Sequence, residues 1–239
     1  MTMETPRQRR GRVDAGRPRA TARDVLGMSW VVEMYGMPFD LLRRLVGTSD
    51  GATRQMIYRW RRAGWVSTEY FGGPMWLWAT RAGIERFGRY PYQERPPSQA
   101  RLEHTRAVIE TRLRLEERYA DRELSWVSER ALRYELGSRL GSAAQRQHVP
   151  DAVIEYIAVS TEGVPFQRRA AVEVELTPKS EARAEEIVGR LKQDGYDEVL
   201  YVVSRRARPL MQHVIEKKRR QLPPGAMDKV RLIDFEEGQ

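Results

Sequence analysis

The chain has 239 residues, 41% of them hydrophobic and 31% charged, with no cysteine and a net charge of +9. That composition supplies one large core or two smaller ones, excludes disulfides, thiolate metal sites and cysteine nucleophiles, and fits a reducing cytoplasm. No apolar run approaches the roughly 20 residues a membrane span needs, and the N-terminal arginines have no apolar stretch behind them, so neither membrane nor export is expected.

The positive charge is unevenly placed. Residues 1–20 carry six arginines against two acids, residues 21–95 eleven against seven, and residues 96–239 twenty-five basic groups against twenty-four acidic ones. The excess therefore lies in the first 95 residues, where it would attract a polyanion and release its counterions. Residues 1–20, rich in Arg, Gly and Pro, read as a disordered basic arm, either a DNA contact or a solubilising tail.

A first helix is predicted over Ala22–Tyr35, with Thr21 as N-cap and Asp24 in the first turn. A second starts at Pro38 and ends at Gly47, and Thr48-Ser49-Asp50 turns the chain into a third. From Thr53 to Ala63 the third helix sorts cleanly at 100° per residue. Thr53, Met56, Ile57, Trp60 and Ala63 share one side; Arg54, Gln55, Tyr58, Arg59, Arg61 and Arg62 share the other. Guanidiniums bind guanine edges or phosphates and an amide reads adenine, so this is the chemistry of a recognition helix in a major groove. The bland reading is a solvated face, or a helix that meets protein instead.

A strand over Trp65–Phe71, a Gly72-Gly73-Pro74 turn and a strand over Met75–Ala79 follow, and Thr80-Arg81-Ala82-Gly83-Ile84 opens a short helix. Trp76 and Trp78 alternate with Met75 and Leu77, so one pair faces the core; the tryptophans either pack there or, exposed on the hairpin, touch DNA. Residues 21–88 thus resemble the winged helix–turn–helix family, which implies double-stranded DNA as partner. Residues 89–97 hold three prolines without periodicity and read as a stiff linker.

Residues 98–239 read as an α/β unit around a mixed sheet. A long helix spans Ser98–Tyr119, with Leu102, Thr105, Ile109 and Leu113 inward and Glu103, Glu110 and Glu117 seven apart. A strand (Leu124–Val127), a helix (Ser128–Leu136) and a loop (137–147) precede two strands, Asp151–Val159 and Ala170–Thr177. Ser180 caps a helix to about Lys192; a strand (Glu198–Val203), a helix (Arg208–Arg219) and a last strand (Lys229–Phe235) complete the pattern.

The candidate chemistry lies on the central strands. Alternation puts Glu173 and Glu175 on one face, and Asp151 opens the neighbouring strand. Three convergent carboxylates suit Mg²⁺ or Mn²⁺, which could activate water at a phosphodiester. The alternative is that they pair with Arg168, Arg169 or Lys179.

Pro150-Asp151 followed by Glu173-Val174-Glu175 within this order resembles the PD-(D/E)XK nuclease-like pattern, with Glu175 where a lysine is usual. That resemblance implies Asp151, Glu173 and Glu175 as metal ligands and catalytic residues, with Lys179 as a substitute cation and Glu103 or Glu110 as a further carboxylate. The fold class expected is therefore α+β and α/β in two domains: residues 21–88 a winged helix, residues 98–239 a restriction-endonuclease-like mixed sheet flanked by helices.

The whole layout, with Leu102-Glu103-His104, His148-Val149-Pro150-Asp151 and Ala171-Val172-Glu173-Val174-Glu175, also resembles the replication–relaxation family of plasmids and integrative elements. This implies a mobile-element role in plasmid replication, DNA relaxation or transfer, with replication or transfer proteins as partners. A two-fold-related target would call for a homodimer. A histidine-cluster relaxase is disfavoured, because His104, His148 and His213 are far apart and no His-x-His occurs; His148 either sits near Asp151 and assists or is a satisfied structural histidine. Two readings stay open: a divalent-metal endonuclease, or a non-catalytic regulator or replication accessory whose second domain is a silent scaffold. Lys217-Lys218-Arg219-Arg220 ends a helix, which suits its dipole, or makes a second DNA contact.

Overall fold

Thr21 and Asp24 close the first helix reciprocally. The Thr21 hydroxyl accepts from Asp24 N at 3.2 Å and the Asp24 carboxylate accepts from Thr21 N at 2.8 Å. This capping box fixes the start of α1 (Ala22–Glu33). The computed structural model describes residues 19–120, 124–193 and 195–235. Residues 1–18 of the predicted basic arm lie outside the described residues.

Pro38 does not open the second helix from inside, as the sequence suggests. Its extended backbone (φ −74°, ψ 150°) makes it the N-cap, and β1 (Met37–Pro38) pairs with β3 (Met75–Ala79). Pro is tolerated there because β1 is an edge. α2 (Phe39–Val46) ends at Gly47, whose φ of 61° is the left-handed closure glycine permits. α3 (Asp50–Arg62) is capped by Ser49. β2 (Val66–Tyr70) pairs antiparallel with β3, giving a three-stranded sheet in the order β1-β3-β2, and α4 (Arg81–Phe87) follows. The Thr80 hydroxyl caps α4 through Gly83 N at 3.2 Å. Gly83 itself is demanded by packing: a Cβ there would lie 2.1 Å from the Trp65 carbonyl oxygen.

After a 3₁₀ turn at Gln99–Arg101 comes α5 (Leu102–Arg118), then β4 (Leu124–Ser128) and α6 (Glu129–Leu140). A 3₁₀ turn at Gly141–Arg146 leads to β5 (Ala152–Val159), β6 (Pro165–Glu175), α7 (Glu181–Gln193), β7 (Glu198–Val203), α8 (Arg208–Gln221) and β8 (Val230–Asp234). The strands form one five-stranded mixed sheet in the order β4-β5-β6-β7-β8, antiparallel from β4 to β6 and parallel from β6 to β8. The described residues thus make a mixed α+β structure of eight α-helices and two sheets, in which no helix is long and apolar enough to cross a membrane.

Several boundaries differ from the sequence reading, two of them in ways that matter for the sheet and its cover. α6 continues past Gly137 to Leu140. β6 begins five residues early, because Pro165–Arg169 pair with β5 although they are mostly solvent-facing.

The central strands are covered on both sides. Ala171, Val199, Tyr201 and Val203 pack on α7 and α8 residues such as Ile187, Leu191, Met211 and Val214. Ala152, Ile154, Ala170, Val172, Leu200 and Val202 face the other way, in a core continuous with Met28, Trp30, Leu42 and Trp60 of the first 88 residues. Residues 89–97 join that core: Tyr92 is buried and donates to Glu33 at 2.9 Å, while Tyr90 stacks on Tyr134 with centroids 4.6 Å apart. Arg106 grips Asp40, and Arg112 lies 3.8 Å over the Trp30 ring.

Candidate nucleic-acid interface and carboxylate cluster

On α3 the two faces separate as the periodicity predicts. Thr53, Met56, Ile57 and Trp60 are buried. Arg54, Gln55, Tyr58, Arg59, Arg61 and Arg62 are all exposed. The amphipathic spacing is the cause: Trp60, fully buried, anchors the helix, and every cation falls on the opposite side. The cations are not equivalent. The Arg54 guanidinium lies over the Phe39 ring at 4.8 Å and Arg62 over Tyr58 at 5.9 Å. Arg59 instead bonds to the buried Asp24 carboxylate at 3.0 Å. In the β2–β3 hairpin Trp76 is buried, Trp78 half-buried and Tyr70 exposed.

The three predicted carboxylates come to one end of the larger sheet. Glu173 and Glu175 project to the same face as Tyr201, as strand alternation requires. β6 runs past the end of β5, since Ala152 is opposite Val172. The next outward N–H, that of Val174, would be unpaired; the Asp151 carboxylate accepts it at 2.8 Å. This is the local reason Asp151 turns toward β6.

Each carboxylate has its own protein partner. The second Asp151 oxygen lies 2.9 Å from His104 Nε2. Glu173 Oε1 lies 2.7 Å from His148 Nε2. Glu175 pairs with Lys179. Burial pushes the Glu173 carboxyl up to about 7, against the His148 hydrogen bond and with Asp151 adding repulsion. Burial would lower His104, but the bond and charge of Asp151 outweigh it and raise its pKa. Tyr201 is driven far above the phenol range, first by burial and then by the three carboxylates, and its hydroxyl has no hydrogen-bond partner among the described residues.

Magnesium or manganese at this position would need several carboxylate oxygens free to converge on one point. Both Asp151 oxygens instead meet nitrogen partners, and Glu173 and Glu175 are closed by His148 and Lys179. Among the described residues no three His, Asp or Glu side chains form a group that could hold a metal ion. As arranged, the donor set does not fit the cation.

Other candidates stay apart from the cluster. Glu103 is exposed, and Glu110 pairs with Arg106 at 3.1 Å. Arg168 pairs with Glu198 and Arg169 with Glu155, so neither neutralises Glu173 or Glu175. Lys217 bonds Glu181 and Glu185, both at 2.6 Å, which accounts for it as a structural cation.

His148, one of the residues the sequence could bring near Asp151, meets Glu173 instead, and His104 is the residue the sequence did not assign to the cluster. His104 and Asp151 are 47 positions apart, and no local pattern joins them. Beside them opens a cavity of about 330 Å³, lined by Tyr35, Arg95, Arg101, Glu129 and Arg133 among others. Tyr35 holds a φ of 60°, in the left-handed region that costs a non-glycine residue energy.

Compared with protein-family models, curated proteins and solved structures, the chain matches none.

Proposed function

We propose that this chain is a double-stranded DNA-binding protein in which residues 21–88 act as a winged helix, α3 being the recognition helix and the β2–β3 hairpin the wing. The observation that carries this reading is the α3 face, where Arg54, Gln55, Tyr58, Arg59, Arg61 and Arg62 are exposed together. The element order and the basic excess of the first 95 residues support it. The succession α5-β4-α6-β5-β6-α7-β7 supports a PD-(D/E)XK-like scaffold behind it. With the carboxylates closed by His104, His148 and Lys179, that scaffold serves as a non-catalytic platform. The resemblance of the sequence to replication–relaxation proteins supports a role on a mobile element, for which replication or transfer proteins and a second copy of the chain are the partners proposed.

The test is binding of the full chain to duplex DNA by fluorescence anisotropy across a salt series. Affinity should fall steeply with salt, and Arg54→Ala with Arg59→Ala should weaken it by roughly 10-fold or more. Unchanged affinity would mean that α3 is not the reading head.

The placing of Asp151, Glu173 and Glu175 at one end of the sheet favours a second reading, a divalent-metal endonuclease in which the carboxylates exchange their present partners for the ion. Supercoiled DNA incubated with the protein and Mg²⁺ or Mn²⁺, beside a Glu173→Ala/Glu175→Ala variant, separates the two. Supercoils left intact under both metals support the platform; nicking lost in the variant supports the enzyme.

A further inference from the structure

Asp24 is 0% exposed, yet it is a charged group on a small domain, and its bonding explains why. One oxygen accepts from Thr21 N and the Thr21 hydroxyl, both at 2.8 Å. The other accepts from the Trp60 indole at 2.8 Å and from Arg59 Nη2 at 3.0 Å. Burial by itself would raise the carboxyl; the donors of Thr21 and Trp60 and the charge of Arg59 outweigh it and hold the group below its usual value. Asp24 is therefore ionised and cannot turn.

Its surroundings are equally fixed. Trp60 is fully buried, and α1 passes so close to it that a Cβ on Gly27 would lie 2.7 Å from the indole. Arg59 thus has one terminal nitrogen pinned to an immobile anion while about half of its side chain, 54%, remains in solvent. A guanidinium carries five N–H donors, so most of its donors stay available. Arg54, Arg61 and Arg62 have no carboxylate partner among the described residues; the guanidiniums of Arg54 and Arg62 lie over aromatic rings, contacts that tie none of their N–H donors to a fixed anion.

A donor held in a fixed pose discriminates between base edges, since a misplaced acceptor cannot recruit it and the matching one needs no ordering. Mobile cations follow phosphates wherever they run and carry no sequence information. We propose, resting on the DNA-binding reading above, that Arg59 is the specificity-determining residue of α3, presenting its guanidinium to a guanine edge, and that Asp24 is the positioning residue that holds it there. Arg54, Arg61 and Arg62 grip the backbone. A preference for guanine follows because its O6 and N7 match two guanidinium donors.

The experiment begins with selection of duplexes from a random pool by the full chain. Affinities for the selected and a scrambled duplex are then measured for wild type, Arg59→Ala, Arg59→Lys, Asp24→Asn and the Asp24→Asn/Arg59→Ala double variant. Wild type should prefer the selected duplex by roughly 10-fold or more. Arg59→Ala should remove most of that ratio, with scrambled-duplex affinity within about threefold of wild type. Arg59→Lys should not restore the ratio, because an ammonium is a point charge. Asp24→Asn should lose the same ratio, and the double variant should lose no more than Arg59→Ala alone.

A purely structural Asp24 would weaken selected and scrambled binding together, and its effect would add to that of Arg59→Ala; either result overturns the proposal. So does an Arg59→Ala protein that keeps its preference, a result independent of whether Asp24→Asn folds. Salt-dependent binding with no sequence preference in wild type overturns this inference and leaves DNA binding standing. No salt-dependent binding to any duplex overturns both.

Discussion

His148 Nε2 lies 2.7 Å from Glu173 Oε1, and that carboxyl is 4% exposed on a sheet covered from both sides. Burial makes the Glu173 carboxyl keep its proton more firmly than in water; the charge of Asp151 acts the same way, while His148 and Lys179 oppose it.

Stability should therefore fall as pH rises through neutrality. Glu173 titrates at about 7 in the folded chain against 4.5 unfolded, so between those values the folded state binds more protons and loses stability with rising pH, by on the order of 3 kcal/mol. His104 acts in the same direction: its pKa is raised above 6.5, so its contribution is full below that value and is lost as pH climbs through the folded one. Asp24 and Asp40 are lowered from 3.8, and their contributions disappear only as pH falls below that range, outside this window. Urea midpoints at pH 5.5 and pH 8 should differ for wild type and differ much less for Glu173→Gln. An equal slope in both proteins would remove Glu173 as the cause.

Arg112 joins the two halves of the core. It is 13% exposed, its guanidinium lies 3.8 Å from the Trp30 ring and 5.7 Å from Trp126, and Nε donates to Glu116 at 2.8 Å. Arg112→Ala should cost about 2–4 kcal/mol, because it strips two indole faces of their cover and leaves Glu116 without its partner. Arg112→Met, which keeps the stem, should cost less. Chemical denaturation measures both; a loss below about 0.5 kcal/mol for Ala would place Arg112 among ordinary surface positions.

Gly83 and Gly189 should respond oppositely to the same methyl group. A Cβ at Gly83 meets the Trp65 carbonyl oxygen at 2.1 Å and carbon at 3.0 Å, both backbone atoms that cannot step aside. Gly83→Ala should destabilise by about 3 kcal/mol or more. Gly189 lies inside α7 with nothing within 4 Å of the added atom. Gly189→Ala should stabilise by about 0.5–1 kcal/mol. Thermal melts of the two variants in parallel check the pair, and a stable Gly83→Ala protein would refute the close approach of α4 to Trp65.

The readable parts of this fold are those governed by short-range periodicity. The α3 face sorts at 3.6 residues per turn, and Val199–Val203 is apolar throughout because both its sides are covered. What escaped reading depends on distant partners. Pro38 looks like a helix start until β3 supplies a strand for Met37 to pair with. The prolines of residues 89–97 suggest a spacer, yet Tyr90 and Tyr92 find Tyr134 and Glu33. Asp24 reads as a first-turn acid serving the helix dipole; its bonds to Arg59 and Trp60 cross 35 and 36 positions. In the carboxylate cluster the acids were legible from Pro-Asp and Glu-x-Glu, and His148 stood three residues before Asp151, while His104 was not legible, since 47 positions separate it from its partner.

That closure makes a definite statement about divalent cations. If His104, His148 and Lys179 occupy the carboxylates, Mn²⁺ has no vacant group of oxygens to bind, and millimolar Mn²⁺ at pH 8 should leave the melting temperature of wild type unchanged. Removing the closing groups should reverse this. In a His104→Ala/His148→Ala variant, Asp151 and Glu173 lose their side-chain partners, which should cost about 3–5 kcal/mol. Mn²⁺ then meets paired acids with open oxygens and should recover part of the loss, as any ligand of the folded state does. Melts of both proteins with and without Mn²⁺ decide the matter. Stabilisation of wild type would mean that the carboxylates exchange their histidines for metal, and the endonuclease reading would then take precedence over the platform. A variant that is destabilised and indifferent to Mn²⁺ would mean that the three acids do not converge even when freed.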